Sequence, residues 1–139
     1  MLKYHSWLKP TFFVGCALAL SLTLPMTVSA ENDSSIKGIQ RASIQAAMSN
    51  FVVTHSSENG IMLHYDSKIG ELVSLHLDKL HSDIMKKGDF FVSCADFIST
   101  DGRKYDLDFL VLPKGDAYQV NQAIVHSVDG KKREYYLED

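Results

Sequence analysis

The sequence predicts an α+β fold, with one N-terminal amphipathic helix packed on an antiparallel meander sheet of about six strands. Three observations carry this expectation. From Ile36 to Phe51 apolar side chains return at helical spacing, and from Ile61 onward apolar and polar residues alternate with a period of two. The alternating runs are joined by short turns, of which Asp101-Gly102 and Asp129-Gly130 are the clearest. Short connections favour neighbouring antiparallel strands over crossovers.

The first thirty residues read as a cleavable signal peptide. Lys3 and Lys9 give a basic start, residues 11–24 are apolar, Pro25 breaks the run, and Val28-Ser29-Ala30 supplies small residues for cleavage. Cleavage after Ala30 leaves residues 31–139 as one exported, periplasmic domain with no membrane span. An uncleaved anchor is the weaker alternative, because the apolar run is shorter than the roughly 18–20 residues a spanning helix needs. Lipid attachment at Cys16, in Phe13-Val14-Gly15-Cys16, is weaker still, since the apolar run continues beyond it. Loss of the signal leaves Cys94 as the one cysteine, so no disulfide staples the domain and its apolar core must hold it. The whole chain carries −3, and its basic run, Lys131-Lys132-Arg133, is flanked by Asp129 and Glu134. That balance argues against nucleic acid as a partner.

Taken in order, Asp33, Ser34 or Ser35 offers a side-chain oxygen to cap the helix. Ile36, Ile44, Ala47, Met48 and Phe51 form its apolar stripe, and the polar cluster at 56–60 ends it, with Gly60 as a left-handed stop. A first hairpin turns through Ser67-Lys68-Ile69-Gly70, and residues 82–88 read as a polar connection. The central hairpin, 89–112, turns on Asp101-Gly102 as a two-residue type I′ loop. That turn sets Ile98 opposite Tyr105, Asp96 opposite Leu107, Cys94 opposite Phe109 and Val92 opposite Val111 on the buried face. Phe97, Ala95 and Ser93 then meet Asp106, Asp108 and Leu110 on the wetter one. A turn at 113–116 leads to a strand over 118–128, and Asp129-Gly130 turns the chain into a last strand over 133–137.

The helix followed by Tyr65-Asp66-Ser67-Lys68-Ile69-Gly70-Glu71-Leu72 resembles the end of PepSY-type domains, where a strand turns through an Asp-x-x-x-Gly-Glu-like loop. This similarity spans residues 36–77. A helix wrapped by a longer antiparallel sheet also resembles cystatin-like and NTF2-like folds. These resemblances imply small binding, inhibitory or accessory roles.

Asp106 and Asp108 are the first candidate site residues, because carboxylates at i and i+2 project from one face of a strand. Carrying the pairing through the Pro113 turn brings Asn121 opposite Asp108 and Gln119 opposite Leu110, and such a patch could share a proton or hold a hard cation. The plainer reading is a solvated sheet face. His64, His76, His81 and His126 all lie on or near predicted strands, and His64 and His76 above all offer zinc or copper ligands if the register unites them. Pairing Asp66 with Glu71 sends His64 and His76 to opposite faces; a one-residue slip joins them. Scattered surface histidines are again plainer. His126 pairs with Arg133 beside Ile124, Val128 and Tyr135, as a base or as a packed side chain. Asp96 points at the apolar face, so either it finds a partner such as Tyr105 or Arg103 or that strand end is open to water, while Cys94 reads as a small buried hydrophobe.

No phosphate loop, nucleophile elbow or Cys-x-x-Cys pair occurs, and nothing implies a cofactor. The expected function is a small exported, non-catalytic binding or accessory domain for a protein or small ligand. The alternatives are an enzyme using the polar patch and a His-based metal-binding protein. The last strand is an edge that could pair weakly with a second copy, guarded at its start by Lys131, Lys132 and Arg133.

Overall fold

Ile44, Met48 and Val52 recur every fourth residue, and in the computed structural model, which describes residues 32–135, they are the buried side of helix α1 (Gly38–Thr54). The expected signal segment and residues 136–137 lie outside the described residues. The helix begins only at Gly38, so it is the first regular element among the described residues and not the N-terminus of the chain. Its N-cap is Lys37, with no side-chain cap. Asp33 instead builds a turn ahead of the helix: its Oδ1 accepts from the Ser35 amide at 2.8 Å and its carbonyl accepts from the Ile36 amide at 3.1 Å. At the far end His55 is the C-cap, and Gly60 serves a separate turn, donating to the Ser57 carbonyl at 2.9 Å.

Six strands follow: β1 (Ile61–Asp66), β2 (Glu71–Lys87), β3 (Phe90–Ser99), β4 (Lys104–Lys114), β5 (Ala117–Val128) and β6 (Lys131–Lys132). They pair antiparallel in sequence order as one open sheet. Over the described residues the fold is thus α+β, with one helix and a six-stranded meander. Among the described residues, no helix is long and apolar enough to cross a membrane.

The central register differs from the expected one by one residue. Phe97 faces Tyr105, Ala95 faces Leu107 and Ser93 faces Phe109, while Asp96 faces Asp106 and Cys94 faces Asp108. The cause is the turn. The Gly102 amide donates to the Ser99 carbonyl at 2.8 Å and the Ser99 amide to the Arg103 carbonyl at 2.9 Å, so the loop holds three residues, with only Gly102 at positive φ (+85°). This is the type I turn with a left-handed third residue, not a type I′ loop. Ser99 Oγ reinforces it by accepting the Arg103 amide at 2.9 Å. One extra loop residue moves every side chain to the other face. The Asp129-Gly130 turn, by contrast, has both residues at positive φ (50° and 74°) and pairs Val128 with Lys131, as type I′ requires.

Two further expectations are corrected. Residues 82–87 are not a connection but the end of β2, which runs on to pair Lys87 with Phe90. Among the described residues the last strand is the two-residue β6; residues 133–135 belong to no strand, although the Arg133 amide still donates to the His126 carbonyl at 2.8 Å.

With this register, Leu75, Phe97, Leu107, Phe109 and Val111 pack against Ile44 and Met48 as one core. Phe51 meets Phe109 edge-on, with ring centroids 5.8 Å apart. Cutting any of the fully buried large side chains back to Ala costs about 2–5 kcal/mol. Side chains alternate across a strand, so the even-numbered residues of β3 and β4 stand on the face turned away from α1.

Candidate functional site

That second face gathers Cys94, Asp96, Asp106 and Asp108 as cross-strand neighbours at the centre of the sheet. Two irregularities add histidines. In β2, Leu80 pairs with Ala95 and Ile84 with Ser93, so His81, Ser82 and Asp83 stand against Cys94 alone. In β5, Val125 pairs with Leu107 and Ser127 with Asp106, leaving His126 as the extra residue. A bulge re-aims the side chain it inserts, and both of these point an imidazole at the cluster.

The contacts are close. His81 Nδ1 lies 2.9 Å from Cys94 Sγ and its Nε2 lies 2.8 Å from Asp96 Oδ2. A carboxylate only accepts, so Nε2 carries the ring proton and Nδ1 accepts from the thiol. His126 Nδ1 lies 2.9 Å from Asp108 Oδ2, and the Tyr135 hydroxyl donates to the same oxygen. One ligand atom each from Cys94, Asp106 and Asp108 fall within 4.8 Å of one another. Asp106 Oδ1 is fully buried and has no hydrogen-bond partner among the described residues.

Electrostatics follow from this crowding. Burial, then the charge of Asp108, pushes the Asp106 carboxyl above the ordinary range. Burial does the same to Asp108, against the pull of His126. The Cys94 thiol is pushed up to about 12, by burial first and then by Asp106, Asp108, Asp96 and Asp83. Asp106, Asp108 and Cys94 therefore each give up a proton less readily than the same group in water.

Above it lies a cavity of about 620 Å³. Ile84, Met85 and Val92 give apolar walls, and Cys94, Asp106, Asp108 and His126 form the polar floor. The segment Arg133 to Tyr135 borders it, and Arg133 is pinned by an ion pair with the buried Asp66 of β1.

Of the residues singled out from sequence, the structure brings Asp96, Asp106, Asp108 and His126 to this face. Asp96 is corrected: it meets Asp106 rather than Leu107, and its partner is His81, not Tyr105 or Arg103. Cys94 is half-buried among carboxylates and is not a plain core residue. Asn121 stands away from Asp108, because Asp108 pairs with Ile124 and Asn121 is the extra residue of a second bulge in β5. His64 and His76 are not united: Asp66 pairs with Glu71, His64 sits opposite Val73 and His76 opposite Ile61, on alternate faces. Burial holds the pKa of His64 below its ordinary value. His81, named from sequence only as one of several possible metal-binding histidines, and Tyr135, named only as a neighbour of His126, complete the site in a place the sequence did not indicate. The only sequence trace of that placement for His81 is the loss of strict alternation around residues 78–83.

No family model, curated protein or solved structure matches this chain. The loop that resembles PepSY domains is a turn in which Asp66 accepts the Lys68 amide at 3.1 Å and the Gly70 amide donates to the Asp66 carbonyl at 2.8 Å.

Proposed function

We propose that this is a small exported, non-catalytic binding domain that takes a cationic ligand into the cavity of its sheet. The observation that carries the reading is the floor of that cavity, where Asp106 leaves a buried oxygen unpartnered beside Asp108 and a half-buried thiol. A buried polar atom without a partner is costly, and a bound cation would satisfy it while neutralising two crowded carboxylates. The apolar walls and few convergent polar groups fit the usual anatomy of a small-ligand pocket. A thermal-shift panel of calcium, magnesium, zinc and tetramethylammonium tests this. A ligand that binds only the folded state raises Tm with concentration, so at least one cation stabilises the wild type and not Asp106→Asn. No shift from any cation, or equal shifts in both proteins, overturns the reading.

One observation favours an enzyme instead. Cys94, His81 and Asp96 line up as thiol, imidazole and carboxylate, the order of a nucleophile, its base and the base's orienting group. Against it stands the anionic surround that keeps the thiol protonated. Rapid alkylation of Cys94 at neutral pH would favour this second reading.

A further inference from the structure

Resting on the cation-binding reading above, we infer that the cavity floor is a zinc-class transition-metal site, with Cys94, Asp106, Asp108 and His126 as ligands and His81 positioning the sulfur ligand. The donor set makes the choice of ion. Calcium and magnesium take shells of oxygen ligands, whereas a set of one sulfur, one imidazole nitrogen and two carboxylates suits tetrahedral zinc or cobalt.

The spacing is within reach. Adjacent ligands of a tetrahedral zinc with bonds of about 2.0–2.3 Å stand about 3.3–3.8 Å apart. The Cys94, Asp106 and Asp108 donors already lie within 4.8 Å of one another, and His126 Nδ1 is 2.9 Å from Asp108 Oδ2. His126 lies outside that group of three, so ligation requires its Nδ1 to leave Asp108 Oδ2 and swing toward the other donors. Asp106 Oδ1, buried and without a partner among the described residues, points to a missing ligand independently of the spacing.

The scaffold is suited to hold such an ion. Cys94 and Asp108 are direct cross-strand partners, and His126 is aimed by its bulge. His81, itself held by Asp96, touches the sulfur as an outer-shell group does at a metal centre. On binding, Cys94 coordinates as thiolate: its S–H bond breaks, the proton passes to His81 Nδ1, and the resulting imidazolium donates to the coordinated sulfur from Nδ1 and to Asp96 from Nε2.

Cobalt and zinc titrations of the full chain test the inference. One equivalent of cobalt is expected to give a thiolate-to-cobalt charge-transfer band that zinc bleaches, with zinc binding at least 100-fold tighter than calcium or magnesium. Cys94→Ser should abolish the band, Asp106→Asn should weaken zinc binding tenfold or more, and His81→Gln should weaken it about 10–100-fold, as for other outer-shell losses. His76→Ala should change nothing. Asp106→Asn keeps the thiol, so the test survives should Cys94→Ser fail to fold. If zinc binds with no charge-transfer band in the cobalt form, or binds Asp106→Asn undiminished, the site is elsewhere and the inference falls. If calcium or tetramethylammonium binds the cavity and zinc does not, the inference falls while the cation-binding reading stands. If none binds, both fall.

Discussion

Asp96 and Asp106 are direct cross-strand partners on β3 and β4, like charges set face to face in the middle of a sheet. Such a pair destabilises a fold by up to about 1 kcal/mol, and here Asp108 adds a third carboxylate two residues along. His81 relieves Asp96 and His126 relieves Asp108. Asp106 is left to carry the strain.

Asp106→Asn should therefore stabilise the metal-free protein at neutral pH. The raised folded pKa of Asp106 means its carboxyl costs nothing below the unfolded value near pH 4, where it is neutral in both states. The cost develops as pH rises through the folded pKa. An asparagine removes the charge and can donate to Asp108, so chemical denaturation should show a gain of up to about 1 kcal/mol at pH 7 that vanishes near pH 3.5. A gain independent of pH would contradict the charge explanation.

Cys94 should alkylate slowly. With the thiol pushed up to about 12, its thiolate fraction at pH 7 is roughly three orders of magnitude below that of a free cysteine. Iodoacetamide kinetics should rise steadily with pH without a plateau below pH 10, and Asp106→Asn should speed the reaction by removing the charge that repels the thiolate most. A plateau near pH 8 would show that the surrounding carboxylates do not control this thiol.

The helix stripe, the meander and the Asp129-Gly130 turn were legible in the sequence because each follows from residue periodicity or from a turn whose geometry its residues fix. The faces of the central hairpin were not. Asp101-Gly102 fits both a two-residue loop and the second half of a three-residue one, and only Ser99, which closes the loop with backbone and side chain together, separates them. The site suffers most from that ambiguity, because one residue of register decides whether Cys94 meets Phe109 or Asp108. The histidines were visible as candidates, but their placement was hidden for a different reason. His81 and His126 sit where the period of two breaks, and no local pattern says which way a bulged residue points.

Gly102 offers a direct check on the turn. It is the one loop residue at positive φ, and a Cβ built there meets nothing within 4 Å, so the cost of a side chain is purely conformational. Gly102→Ala should destabilise by about 1 kcal/mol and Gly102→Asn by less, since Asn tolerates the left-handed region. Urea midpoints of the two variants measure the difference. Equal losses would mean that the loop does not hold Gly102 in that region.

Arg133 and Asp66 tie the end of the sheet to its first strand, and this pair should set the acid limit of the fold. Asp66 is completely buried; its Oδ1 receives the Arg133 guanidinium and its Oδ2 accepts from the Tyr105 hydroxyl at 3.3 Å. Burial works to raise its pKa, but the Arg133 hydrogen bond and charge, with the Lys68 and Ile69 amides, bring the net value below the ordinary carboxylate range. A depressed folded pKa gives stability that is fully present above about pH 4 and is lost as pH falls through the folded value. Arg133→Met leaves the carboxylate buried without its countercharge and should cost about 3 kcal/mol at pH 7, whereas Tyr105→Phe removes one neutral donor and should cost about 1 kcal/mol. The two variants should also differ in shape. The Arg133→Met deficit should shrink as pH falls below 4, because wild type then loses the interaction too, while losing only the longer Tyr105 bond should leave most of that acid dependence in place. Denaturation curves between pH 2.5 and 7 read both. A deficit for Arg133→Met that stays constant across this range would mean that Arg133 acts through packing alone.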